Sequence, residues 1–79
     1  MIIKVLGPGC DNCRRLEAHT QQALASLGME AEVQKVTDFG EIAGYGVMKT
    51  PGLVVDEQVV VSGRVPTATE IASLLTRDA

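Results

Sequence analysis

The chain has no tryptophan, one phenylalanine (Phe39), one tyrosine (Tyr45), two cysteines (Cys10 and Cys13) and a single histidine (His19) in 79 residues. With so few aromatic rings, the 46% of the sequence that is hydrophobic must build its core from Val, Leu, Ile and Ala. Two thiols and one imidazole fall short of the four ligands that a structural zinc site takes. Positive charge is also scarce. Seven basic residues face ten acidic ones, the formal charge is -3, and no basic cluster exceeds the pair Arg14 and Arg15. Nucleic acid and anionic membranes are therefore poor partners. No stretch approaches the ~20 apolar residues of a membrane span. The opening Met1 to Leu6 meets Gly7-Pro8-Gly9 at once and lacks the longer apolar run of a secretory signal. A cytoplasmic protein is expected.

The length allows a single domain over residues 1–79, and a domain this small buries only about 60% of its unfolded surface, so any active site is shallow. No repeat, low-complexity tract or linker interrupts it. Residues 1 to 6 form a β-branched apolar run that suits a strand buried on both faces. From about Cys10 to Leu27, the positions Cys13, Leu16, Thr20, Ala23, Leu24 and Leu27 recur at steps of three and four, which predicts a helix with one inward stripe, and Gly28 is placed to end it. Ala31 to Val36 alternates as a second strand. Asp38 can then cap a short helix, with Glu41 three positions on. Leu53 to Val55 and Gln58 to Val61 read as a hairpin across Asp56-Glu57, although that is not a favoured turn pair. Thr67 and Glu70 form a T-x-x-E capping box ahead of a closing helix. The order is β-α-β-α-β-β-α. A strand, helix and strand joined this closely make a right-handed parallel unit, the hairpin extends the sheet antiparallel, and helices cover both faces.

The two cysteines carry the chemistry. In Gly7-Pro8-Gly9-Cys10-Asp11-Asn12-Cys13 a C-x-x-C stands where a loop leaves the first strand and opens a helix. In a reducing compartment such a pair points to transient redox chemistry or a metal rather than a structural disulfide. Free N–H groups and the positive end of the helix dipole stabilise an anion at Cys10. The thiolate is the reactive form, so Cys10 is the expected nucleophile. Cys13 lies one turn on and belongs to the inward stripe, which fits the resolving role. Arg14 and Arg15 add positive charge nearby, Asp11 opposes it, and Gly7 and Gly9 are expected to keep the approach open.

A second signal is Thr50-Pro51, ahead of the third strand. The order of elements, the C-x-x-C opening the first helix and this Thr-Pro together resemble the thioredoxin-fold redox proteins. Within them the chain is similar to the small glutaredoxin-like redox-active disulfide proteins of archaea and bacteria, over its whole length. Gly7-x-Gly9-Cys10-x-x-Cys13, Tyr45-Gly46-Val47-Met48-x-Thr50-Pro51 and Gly63-Arg64-Val65-Pro66 carry the resemblance. It implies an α/β thioredoxin-like fold with a central four-stranded mixed sheet and a protein-disulfide oxidoreductase activity. It also implies that Pro51 is cis and packs against the cysteine pair, and that the backbone at Thr50 pairs with a substrate peptide. The partners implied are a disulfide-containing protein and an upstream reductant, either thioredoxin reductase-like or a low-molecular-weight thiol. No cofactor and no resident metal are expected. The chain departs from thioredoxins in lacking a Trp before Cys10, a Gly-Pro between the cysteines and an acid in the first strand, where Lys4 stands. It departs from glutaredoxins in having Asp11-Asn12 in place of Pro-Tyr, and only Gly63 where a paired-glycine glutathione site would lie.

Two other readings use the same residues. A soft-metal carrier also places a C-x-x-C after its first strand, but its β-α-β-β-α-β fold needs a strand at the C-terminus and no Thr50-Pro51. A redox-inactive docking module would not need both cysteines. His19 lies off the centre of the helix stripe and reads as a solvated flanking side chain. Tyr45 reads as packing at a helix end, with the rim of the active site as the alternative. Glu17, Glu30, Glu32, Glu41 and Glu57 form no evident carboxylate pair and read as a solvating surface.

Overall fold

The computed structural model describes residues 1–9 and 11–77. Its elements follow the expected order: β1 (Ile2–Leu6), α1 (Asp11–Leu27), β2 (Glu32–Val36), α2 (Phe39–Gly44), β3 (Gly52–Val55), β4 (Gln58–Ser62) and α3 (Ala68–Arg77). The four strands form one mixed sheet in the order β2-β1-β3-β4. β1 runs parallel to β2 and antiparallel to β3, and β3 runs antiparallel to β4. Leu53 pairs with Val61 and Val54 with Val59, so the β3–β4 ladder steps over Val60 in a bulge. The last element among the described residues is the helix α3, at the place where the soft-metal carrier fold has a strand.

Strand alternation divides the apolar residues between two cores. Ile3 and Val5 of β1 and Leu53 and Val55 of β3 point to one face, where they meet Leu16, Ala23 and Leu24 of α1 and Ile71 and Leu75 of α3. Leu6 and Val54 point the other way and pack with Val36, Ile42 of α2 and Val47. Ile3, Leu6, Leu16, Leu53 and Ile71 are wholly buried. Burying each such side chain contributes roughly 1.5–3 kcal/mol, which is why a chain with two aromatic rings can still hold a core.

Helix ends follow from local chemistry. α1 stops where Gly28, at φ 65°, lets the Met29 N–H reach the Leu24 carbonyl at 3.0 Å and its own N–H reach that of Ala25 at 3.2 Å. Asp38 caps α2 by accepting from the Gly40 N–H at 3.0 Å, a bond made within one turn rather than the reciprocal pair with Glu41 that the sequence pattern offered. At α3 the capping box does close: the Glu70 N–H donates to Thr67 Oγ1 at 3.1 Å, and Glu70 Oε1 accepts from the Thr67 N–H at 3.4 Å.

Candidate active site

Because β1 and β2 are parallel and β3 is antiparallel to them, the ends of β1 and β2 and the start of β3 meet at one edge of the sheet. The Gly7 N–H donates to the Val36 carbonyl at 2.9 Å and fixes the loop that leads from β1 toward α1. α1 begins at Asp11, the residue after Cys10 in the chain. Cys10 itself, the expected nucleophile, lies outside the described residues. Cys13 sits in the first turn of α1 and is buried with 5% exposure. That agrees with its place on the inward stripe, whose members Leu16, Thr20, Ala23 and Leu24 are buried as well.

Gly7, Cys13 and Thr50 converge. A Cβ built on Gly7 would fall on the Cys13 sulfur and come within 3.7 Å of Thr50 Cβ. Gly7 thus makes room for Cys13 and does not open an approach to it. A Cβ at Gly9 would meet nothing within 4 Å among the described residues. The Thr50–Pro51 bond is cis, and Pro51 is buried. The Pro51 carbonyl accepts from the Gly63 N–H at 2.9 Å, which ties this corner to the end of β4. Thr50, half-buried, makes no backbone hydrogen bond among the described residues. Beside Cys13 lies a cleft of about 30 Å³, with Gly7, Gly9, Glu17 and Lys35 in its wall. This holds about one water. It is far below the several hundred Å³ of a site that engulfs a small molecule. A reacting group must be met at the surface.

The charges here are mostly matched. Arg14 pairs with Asp11 at 2.5 Å and Lys35 with Glu17 at 3.1 Å. Arg14 and Asp11, expected to act in opposite senses on the thiols, are therefore one exposed pair, and Arg15 remains as the added cation of the first turn.

Three expectations change in the folded chain. His19 is half-buried, not solvated, and its Nδ1 lies 2.9 Å from the Pro66 carbonyl, so an N–H there clamps α1 to the segment before α3. Glu57 is not merely a solvating carboxylate, because it takes Lys4 Nζ at 2.9 Å. Glu17 likewise has its Lys35 partner. Tyr45 does pack at the end of α2, against the second core, and its hydroxyl accepts from Lys4 Nζ at 2.7 Å. The bond to Tyr45 and then that to Glu57 hold the Lys4 ammonium well above its ordinary pKa of 10.5. The bond to Lys4 in turn holds the Glu57 carboxyl below its ordinary 4.5. In the sequence Lys4 stands out only as the residue in place of a first-strand acid. A lysine inside an apolar strand asks for a partner, and that was the available signal.

A family model described as a thioredoxin domain matches residues 1–76. The chain is 37% identical over 75 residues to a thioredoxin of Methanothermobacter thermautotrophicus, covering 95% of this chain and 97% of that protein. It is 38% identical over 71 residues to a thioredoxin of Methanocaldococcus jannaschii, covering 90% of this chain and 81% of that protein. Among the described residues, no helix is long and apolar enough to cross a membrane.

Proposed function

The chain belongs to the thioredoxin domain family, whose chemistry is thiol–disulfide exchange, and on that premise we propose that Cys10 and Cys13 are the pair that carries it out. Cys10 is the nucleophile. Its thiolate attacks one sulfur of a partner's disulfide, a Cys10–partner bond forms, the partner's S–S bond breaks, and the departing sulfur takes up a proton. Cys13 then loses its proton and attacks the Cys10 sulfur. The mixed disulfide breaks, the second partner thiol leaves, and two electrons and two protons have passed from the pair to the partner. An upstream dithiol reductase or a low-molecular-weight thiol reverses the change, in the reducing cytoplasm. Thr50 and Pro51 form the ledge on which the partner's chain lies, with the unpaired Thr50 backbone as its hydrogen-bonding edge.

The observation that supports this most directly is the burial of Cys13 in the first turn of α1 beside Thr50 and behind Gly7. A thiol so placed is shielded from outside disulfides yet stands three residues from Cys10, within reach of one formed there. The test is turnover of a disulfide peptide with dithiothreitol as reductant. The wild-type chain should catalyse it, Cys10→Ser should abolish it, and Cys13→Ser should accumulate a mixed disulfide with the peptide. Full turnover by Cys10→Ser overturns the assignment. So does a purified pair that holds a soft metal and resists mild oxidation.

A further inference from the structure

We propose, resting on the thiol–disulfide exchange reading above, that Lys49 is a specificity-determining residue that favours protein disulfides with an acidic side chain next to the reacting cysteine. Lys49 stands one residue before Thr50, and the two side chains go different ways. Thr50 turns toward Gly7 and Cys13. Lys49 lies across Gly63, where an added Cβ would stand 3.1 Å from Lys49 Cβ and 3.5 Å from its Cδ. The same Gly63 donates its N–H to the Pro51 carbonyl. The stem of Lys49 is therefore packed on the residue that ties down the Thr50–Pro51 corner, and less side-chain freedom is lost when its ammonium meets a ligand.

Charge accounting leaves Lys49 and, in the first turn of α1, Arg15 without a carboxylate partner among the described residues, and of the two only Lys49 adjoins Thr50. Arg14, Lys35 and Arg64 around the same edge have carboxylate partners in Asp11, Glu17 and Glu70. Among the described residues, Lys49 has no carboxylate within 4 Å. An extended segment that pairs with the Thr50 backbone presents alternate side chains to opposite sides. If its cysteine faces the Thr50 and Cys13 side, the adjacent residue faces the Lys49 side. A carboxylate there meets the one cation of the ledge that lacks a partner. The overall charge of -3 works against an acidic partner only at long range. It is screened beyond about 10 Å at 0.1 M salt, so the local pair decides.

The experiment compares two synthetic disulfide peptides that differ only in Glu or Gln beside the cysteine, with dithiothreitol as reductant. The wild-type chain should prefer the Glu peptide by about two- to five-fold in kcat/KM, the size expected of an exposed pair. That preference should fall toward one in Lys49→Gln, reverse in Lys49→Glu, and shrink in high salt. A preference unchanged by both substitutions overturns the proposal. An equal effect of Lys49→Gln on 2-hydroxyethyl disulfide also overturns it, because that small disulfide has neither a carboxylate nor a peptide backbone to use the extended register. If the wild-type chain turns over neither peptide, the exchange reading itself fails, a result distinct from equal turnover of both.

Discussion

The sulfur of Cys13 occupies the space into which a side chain at residue 7 would project, so Gly7 and Cys13 are complementary halves of one packing contact. Gly7 is also buried and bonded through its N–H to Val36, which leaves the loop little freedom to move aside. Gly7→Ala should cost about 1–3 kcal/mol, as overpacking of a well-filled interior does. The same substitution should change the rate at which an alkylating reagent reaches Cys13. Denaturant unfolding together with thiol alkylation checks both, and an unaltered midpoint with unaltered alkylation would refute the contact.

The β3–β4 turn places two non-glycine residues in the left-handed region, Asp56 at φ 47° and Glu57 at φ 70°. Both are held to β1. The Asp56 N–H donates to the Ile2 carbonyl and Asp56 Oδ1 accepts from the Ile2 N–H, each at 2.9 Å, while Glu57 takes Lys4. Charge and backbone effects at Glu57 can be separated. Glu57→Gln removes the charge and keeps an acceptor for Lys4, whereas Glu57→Gly removes the side chain and relieves the backbone. The glycine variant should be more stable than the glutamine variant by about 1 kcal/mol. Equal unfolding midpoints for the two would show that the turn carries no strain.

The pH dependence follows from the same pair. Glu57 is held below its ordinary 4.5 by its bond to Lys4. Glu70 is held low by Arg64 and then by the Thr67 N–H. A carboxyl lowered in the folded state binds fewer protons there than in the unfolded chain. Its stabilisation is whole above about pH 4.5 and is lost as pH falls through the lowered value. The gap in unfolding midpoint between wild type and Glu57→Gln should therefore be widest at neutral pH and close toward pH 3. Lys4, raised in the folded state, contributes fully below pH 10.5 and loses its effect only above that. A gap that widens on acidification would contradict the pairing.

Thr67 accepts the Glu70 N–H and starts α3, whose Ile71 and Leu75 are among the most buried side chains of the larger core. Thr67→Ala should cost about 1 kcal/mol, in the usual range for losing a helix cap. Thr67→Ser should retain most of the stability. A thermal melt of the two variants decides, and an alanine variant as stable as the serine one would remove the cap from the argument.

Local rules were enough for the elements themselves. The stripe from Cys13 to Leu27, Gly28 at its end, the Thr67–Glu70 box, the apolar run of residues 1 to 6 and the alternation from Ala31 to Val36 involve residues at most a few turns apart, and their pattern is written in the chain. The inward position of Cys13 was readable for the same reason. The convergence of Gly7, Cys13 and Thr50 was not. Residues 7 and 50 meet only because β1 and β3 are antiparallel neighbours, and strand order is set by which apolar faces bury one another, not by any local pattern. Lys4, Tyr45 and Glu57 come from a strand, a helix end and a turn, and three polar groups so far apart in the chain carry no shared signal until the sheet assembles. His19 looked solvated because Pro66 is far along the sequence, and only the packing of α1 against α3 brings its carbonyl near. Asp56-Glu57 looked like a poor turn for a related reason: the bonds that hold it come from β1. Sequence alone determined which residues are helical, extended or inward-facing, since those properties depend on neighbours in the chain. Tertiary structure decided which side chains share a site, because that depends on contacts between segments whose placement is a property of the whole core.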